Sequence, residues 1–88
     1  MSTFDPAFNE IWYTNGSTTK ATNPYKLDAF GANIISNAYD YNKQCWVISF
    51  DKEIRIIGEQ AFASCADLIQ VSLPDSVRII NKQAFMHC

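Results

Sequence analysis

Between Leu68 and Pro74 apolar and polar positions alternate, with Val71 and Leu73 on one side and Gln70 and Ser72 on the other. Strand side chains point to opposite faces with a period of two. The stretch therefore predicts a half-buried strand with Leu68, Val71 and Leu73 turned inward and Gln70 and Ser72 outward. Pro74 ends it, because proline has no N–H to give to a ladder, and Asp75-Ser76 turns the chain. Val77 and Ile80 then return to the core.

The same pattern occurs 23 residues upstream. Residues 54–65 lie over residues 77–88 with seven of twelve positions identical, and Ile48-Ser49-Phe50 lies over Val71-Ser72-Leu73. Such a period is the mark of a repeat architecture in which each unit buries its apolar face against the next. The predicted repeat core is Ile54, Ile57, Ala61, Phe62, Cys65, Leu68, Val71, Leu73, Val77, Ile80, Ala84, Phe85 and Cys88. Gly58 and Asn81 are equivalent and both serve as helix N-caps, so a short helical turn is predicted after each. In successive coils of a solenoid, Val71 and Leu73 should pair in parallel with Ile48–Phe50 at the same offset.

The period cannot be traced upstream of about Cys45. Ten of the 12 aromatic residues lie at or before Phe50. Glu10 to Asn15 reads as a strand, and Asn15 to Lys20 has turn chemistry. Asn33 to Tyr39 and Gln44 to Phe50 read as a hairpin joined near Asp40–Lys43. A solenoid needs a cap where its core would otherwise lie open. The expected organisation is an aromatic-rich β cap over residues 1–50 and repeat coils over 51–88, sharing one core. The fold class is mostly β: a short right-handed solenoid with an N-terminal β cap.

With 88 residues, 48% hydrophobic and 18% charged, the composition is that of one small globular domain. Nine acidic and seven basic residues give a net charge of −2. The basic residues do not cluster, which speaks against nucleic acid and an anionic membrane surface as partners. No apolar run is long enough for a transmembrane segment. The opening residues lack the basic and apolar regions of a signal peptide, which leaves an intracellular chain or a signal encoded elsewhere.

The pattern Leu68-x-x-Val71-x-Leu73-Pro74-x-Ser76-Val77-x-x-Ile80-x-x-x-Ala84-Phe85-x-x-Cys88 resembles the BspA-like class of leucine-rich repeats. The resemblance implies bacterial cell-surface or extracellular proteins that act in adhesion and protein binding, without enzymatic activity. The repeat motif consists of core positions and so carries over no binding residue.

Three cysteines without a Cys-x-x-Cys pair, and one histidine near the end, offer no set of zinc ligands. Cys65 and Cys88 hold the same repeat position; stacked buried thiols fit in-register side chains better than a disulfide or metal pair. Asp51 and Glu53 could share a face as a glycosidase pair does, but no cleft is predicted between them. His87 lacks an orienting third group for nucleophilic chemistry. Asn15-Gly16-Ser17 matches an N-glycosylation acceptor. Trp12, Tyr13, Tyr25, Tyr39, Tyr41 and Trp46 read as cap core or as an aromatic platform. The expectation is a chain with no enzymatic activity, no cofactor and no metal. Protein or glycan would be bound through Gln70, Ser72, Tyr25 and Tyr41, and the C-terminal coil would mediate self-association. The alternative is a purely structural solenoid cap or self-association module.

Overall fold

The computed structural model describes residues 6–86. Their order is β1 (Glu10–Thr14), β2 (Ile34–Asp40), β3 (Cys45–Phe50), β4 (Ile56–Ile57), β5 (Gln70–Ser72) and β6 (Ile79–Ile80). The described residues contain no helix. Four strands form an antiparallel sheet in the order β2-β3-β1-β5, and β4 and β6 form a second, two-stranded sheet.

The 23-residue offset is realised in the second sheet. β4 and β6 pair in parallel with Ile56 opposite Ile79 and Ile57 opposite Ile80. Pairing between the repeats continues beyond the strands: Asn81 N donates to Ile57 O at 2.9 Å, Phe62 N to Ala84 O at 2.7 Å and Ser64 N to Met86 O at 2.8 Å. These bonds also explain why the helical turn predicted after Gly58 does not form; after Asn81 the chain likewise closes tight turns, Ala84 N to Asn81 O and Met86 N to Gln83 O. An α-helix sends each N–H to the carbonyl four residues back, whereas the N–H groups of Phe62 and Ser64 are given to the other repeat. The intervening groups close tight turns instead, Ala61 N to Gly58 O and Cys65 N to Phe62 O. The third positions of those turns, Gln60 and Ser64, have φ of 61° and 60°, outside helical space.

The expected parallel pairing of Val71–Leu73 with Ile48–Phe50 is not observed. β1 lies between these repeat-equivalent strands and pairs antiparallel with both. Trp12 is opposite Val47 on one edge and Ser72 on the other; Tyr13 is opposite Trp46 and Val71. The two repeats are therefore one strand spacing apart at β4/β6, about 4.8 Å, and two spacings apart at β3/β5. The repeat identifies equivalent residues, but a strand from outside the repeat has taken the intervening position.

A buried apolar cluster runs through the described residues. It contains Ile11 and Tyr13 from β1, Phe30 from the following segment, Trp46, Ile48 and Phe50 from β3, and Ile54, Ile57, Ala61, Phe62, Cys65 and Ala84 from the repeats. Four phenyl rings run through it in contact: Phe50–Phe30 at 5.1 Å, Phe30–Phe62 at 5.6 Å and Phe62–Phe85 at 5.3 Å between centroids. The last two rings are repeat equivalents and lie within 6° of parallel. Leu68, Val71, Leu73, Val77 and Phe85 are half-buried against this cluster. Ile80, placed in the core by the sequence pattern, is 53% exposed, whereas its equivalent Ile57 is fully buried. The Ile57 strand is covered by β6, while β6 has no strand beyond it among the described residues. Cys88 and His87 lie outside the described residues.

The chain ahead of β2 packs on the open side of the first repeat. The turn at 26–29 meets the turn at 58–61 through two bonds, Gly58 N to Ala29 O at 2.7 Å and Lys26 N to Ala61 O at 3.4 Å. A Cβ at Gly58 would lie 2.6 Å from Ala29 O, so close backbone approach requires glycine here. Asn81, with Ile57 O beneath its N–H, is under no such demand. Phe62→Ala removes the ring at the centre of the phenyl series, and such a change costs about 3–5 kcal/mol. Against a total of about 5–15 kcal/mol, the variant should be largely unfolded in a thermal melt. Near-wild-type stability would show that the series is not the core.

Candidate functional site

Alternation divides the four-stranded sheet into two faces. Ile11 and Tyr13 of β1, Trp46, Ile48 and Phe50 of β3 and Val71 of β5 turn toward the core. The opposite face carries Glu10, Trp12 and Thr14, then Val47 and Ser49, and finally Gln70 and Ser72. This face holds two adjoining depressions. One, of about 230 Å³, is lined by Trp12, Thr14, Lys43, Cys45, Gln70 and Ser72, with contributions from Tyr13 and Gln44. The other, of about 500 Å³, lies over Glu10, Ser36, Ala38, Val47 and Ser49, with Tyr41 and Lys43 beside it.

Lys43 lines both depressions. Its Nζ lies 5.5 Å from the Trp12 ring centroid and 3.1 Å from Asp40 Oδ2. The ammonium is thus held over the face of the indole, an attractive arrangement for a cation and an aromatic quadrupole. Trp12 Nε1 donates to Glu10 Oε1 at 3.0 Å. Trp12 is therefore only 6% exposed although it stands on the outer face. The Asp40 carboxyl is held below its ordinary range, first by the N–H of Lys43 and then by its ammonium. The same contact with Asp40 raises the Lys43 ammonium. Burial pushes the Cys45 thiol up, which disfavours the reactive thiolate.

Gln70 and Ser72 line the first depression and Tyr41 the second, with Lys43 common to both. Tyr25, 66% exposed, lines neither depression; it precedes Lys26 in the segment bonded to Ala61. The aromatic residues separate by role. Tyr13 and Trp46 are core, stacked at 6.0 Å, and Tyr39 packs edge-on against Trp46 and Tyr41. The sequence leaves Trp12 open between cap core and aromatic platform and gives no sign of the cover supplied by Lys43. The alternation of Glu10, Trp12 and Thr14 against Ile11 and Tyr13 was the available signal.

Beneath the sheet a polar network fixes the long connection from β1 to β2. Tyr13 Oη accepts from Thr22 N at 2.9 Å and donates to Asn37 Oδ1 at 2.7 Å. Asn15 Nδ2 donates to Lys20 O and Thr22 Oγ1, and Asn15 Oδ1 accepts from Trp46 Nε1 and Ser17 N. The amide of the Asn15-Gly16-Ser17 motif is thereby used for structure. Thr22 Oγ1 in turn donates to Asp67 Oδ2 at 2.8 Å, joining this connection to the repeats.

The two carboxylates considered as a catalytic pair are engaged separately. Asp51 accepts from the backbone and side-chain N–H groups of Asn33 at 2.9 and 3.0 Å, and Glu53 binds Arg55. Cys45 is a free thiol, and the buried Cys65 Sγ lies 3.6 Å from Asn23 O and 3.7 Å from Ala63 O. Among the described residues no group of three or more His, Cys, Asp or Glu side chains is placed to hold a metal ion.

A family model described as the BspA-type leucine-rich repeat region, six copies, matches residues 10–88. The chain belongs to this family. The match begins at the first residue of β1, so the inserted strand falls within the family match together with both repeats. No curated protein and no solved structure matches the chain. Members of this leucine-rich-repeat class are built as repeat modules.

Burial raises the Tyr13 phenol above its ordinary value, an effect partly opposed by the Thr22 N–H. A raised phenol contributes stability that is fully present below the unfolded pKa, about 10, and is lost as pH rises through the folded value. Tyr13→Phe leaves Thr22 N and Asn37 Oδ1 without this partner and should cost about 1–3 kcal/mol at neutral pH. Thermal melts at about pH 8 and about pH 11 should show that loss and a smaller alkaline decline in the variant than in wild type.

Proposed function

We propose that this chain is a noncatalytic binding module of a cell-surface, adhesin-like leucine-rich-repeat protein, engaging a protein or glycan through the outer face of its four-stranded sheet. In this reading the repeats form a right-handed solenoid whose first coil begins with β3, and residues 1–50 cap it. The observation that carries the proposal is the 230 Å³ depression at Gln70 and Ser72. One face of the sheet is committed to the core, while the other presents hydroxyl, amide and ammonium groups around a held indole. Pockets for drug-sized ligands run to about 300–1,000 Å³, so this one suits a single side chain or sugar ring of a larger ligand.

A purely structural role has its own support. The 26–29 turn covers the first repeat, and the other end presents Ile79 and Ile80, 58% and 53% exposed, on an edge strand. Exposed apolar residues on an unpaired edge favour association, most simply as a twofold dimer.

The test is binding of the purified chain to arrays of glycans and purified extracellular proteins, with Ser72→Arg as the blocking variant. Retention of a ligand by wild type and about tenfold weaker binding by a variant with unchanged melting temperature would support the sheet face. Retention by neither, with a wild-type dimer in light scattering that Ile80→Lys converts to monomer, would support the structural role. A monomeric wild type that binds no ligand would contradict both.

A further inference from the structure

Arg55 and Arg78 are repeat equivalents on neighbouring backbones. Arg78 N donates to Arg55 O at 2.8 Å, and the residues that follow them, Ile56 and Ile79, are partners in the parallel ladder. Their side chains therefore leave the backbone about one strand spacing apart, roughly 4.8 Å. Both residues are exposed. Like charges side by side next to a ladder repel; Glu53 offsets the Arg55 charge, and an anion bound between the two guanidinium groups would offset the remainder.

Their surroundings favour such a ligand. Arg55 Nε donates to Glu53 Oε2 at 2.9 Å, which orients the guanidinium. Its terminal nitrogens make no hydrogen bond among the described residues, and Arg78 makes no ion pair among them. Both arginines line a depression of about 470 Å³ with Phe8, Glu53, Asp75 and Ser76. Ser76, 8% exposed, holds its base by donating to Ile54 O at 2.7 Å, with Phe8 O at 3.4 Å. Phe8, 55% exposed, brings apolar surface to the same hollow, and Asp75 brings a carboxylate acceptor.

From this set we infer a second ligand site, for an acidic sugar residue whose carboxylate bridges Arg55 and Arg78. Planar guanidinium forks match the two oxygens of a carboxylate. The Asp75 carboxylate accepts from ring hydroxyls, and Phe8 lies against the C–H surface of the ring. Hydroxyl donors distinguish this ligand from a peptide C-terminus, and its charge distinguishes it from a neutral sugar. The inference rests on the proposed role as a binding module but uses a different surface. Ser72→Arg, which blocks the sheet face, leaves this site intact, so failure of one site is distinguishable from failure of the other.

The experiment is an amide-shift titration of the full chain with glucuronic acid, its uncharged methyl ester, glucose and N-acetylphenylalanine. Glucuronic acid should give saturable shifts at residues 55 and 78 that weaken with added salt. Arg55→Gln and Arg78→Gln should each weaken binding about tenfold or more, the scale of a lost charged hydrogen bond. Arg78→Lys, which keeps the charge without the fork, should recover only part of that loss. Thermal melts of all three variants establish that they fold. Equal binding of the ester or glucose, tighter binding of N-acetylphenylalanine, unaltered affinity in both glutamine variants, or no saturable shift with glucuronic acid would each overturn the proposal.

Discussion

β1 is hydrogen-bonded along both edges, to β3 through Glu10–Tyr13 and to β5 through Trp12–Thr14. A strand in that position has its backbone groups paired on either side, and unpaired buried backbone groups are costly enough to be rare. The inward residues Ile11 and Tyr13 are 0% and 1% exposed; burial of an isoleucine side chain alone is worth about 1.5–3 kcal/mol. Removing β1 would open a gap one strand wide between the two repeats and uncover Ile48 and Val71. The same strand supplies Trp12 and Thr14 to the outer face, so the candidate ligand surface exists only because β1 is inserted there. Its Tyr13 hydroxyl also anchors the connection to β2 through Thr22 and Asn37.

The repeats behave differently at their two sides. At β4 and β6 they meet directly, in register, with Phe62 stacked on Phe85 and arginine beside arginine. At β3 and β5 they are held apart by β1. This wedge distinguishes the two repeats from a uniform stack. It also divides the surface into a sheet face with small polar side chains around Trp12 and a ladder face with paired guanidinium groups. The two are chemically distinct, and the ligands proposed for them differ accordingly.

Much of this was legible in the sequence. Period-two alternation marked β5, β1 read as a strand, and the 23-residue offset is the register of the Ile56–Ile79 and Ile57–Ile80 pairing, although the parallel ladder was expected at β3 and β5. The hairpin at Asp40–Lys43 followed from turn residues between two apolar runs. The position of β1 was not legible, because a repeat reports which residues are equivalent and not which strands are neighbours. The absence of a helical turn after Gly58 was not legible, because local capping chemistry does not reveal that Phe62 and Ser64 donate to the other repeat. Ile80 fits the core pattern by type, but burial also depends on what covers it. At the candidate site, Gln70 and Ser72 followed from alternation. The Lys43–Trp12 contact joins residues 31 positions apart and depends on the folded sheet.

The most direct test of this architecture is the pattern of interstrand nuclear Overhauser effects in the isotopically labelled chain. The insertion of β1 predicts backbone contacts from Tyr13 to both Trp46 and Val71, together with parallel-ladder contacts between Ile56 and Ile79. Direct parallel-ladder contacts between Ile48 and Val71, with none from Tyr13 to Val71, would show a uniform repeat stack and contradict the account.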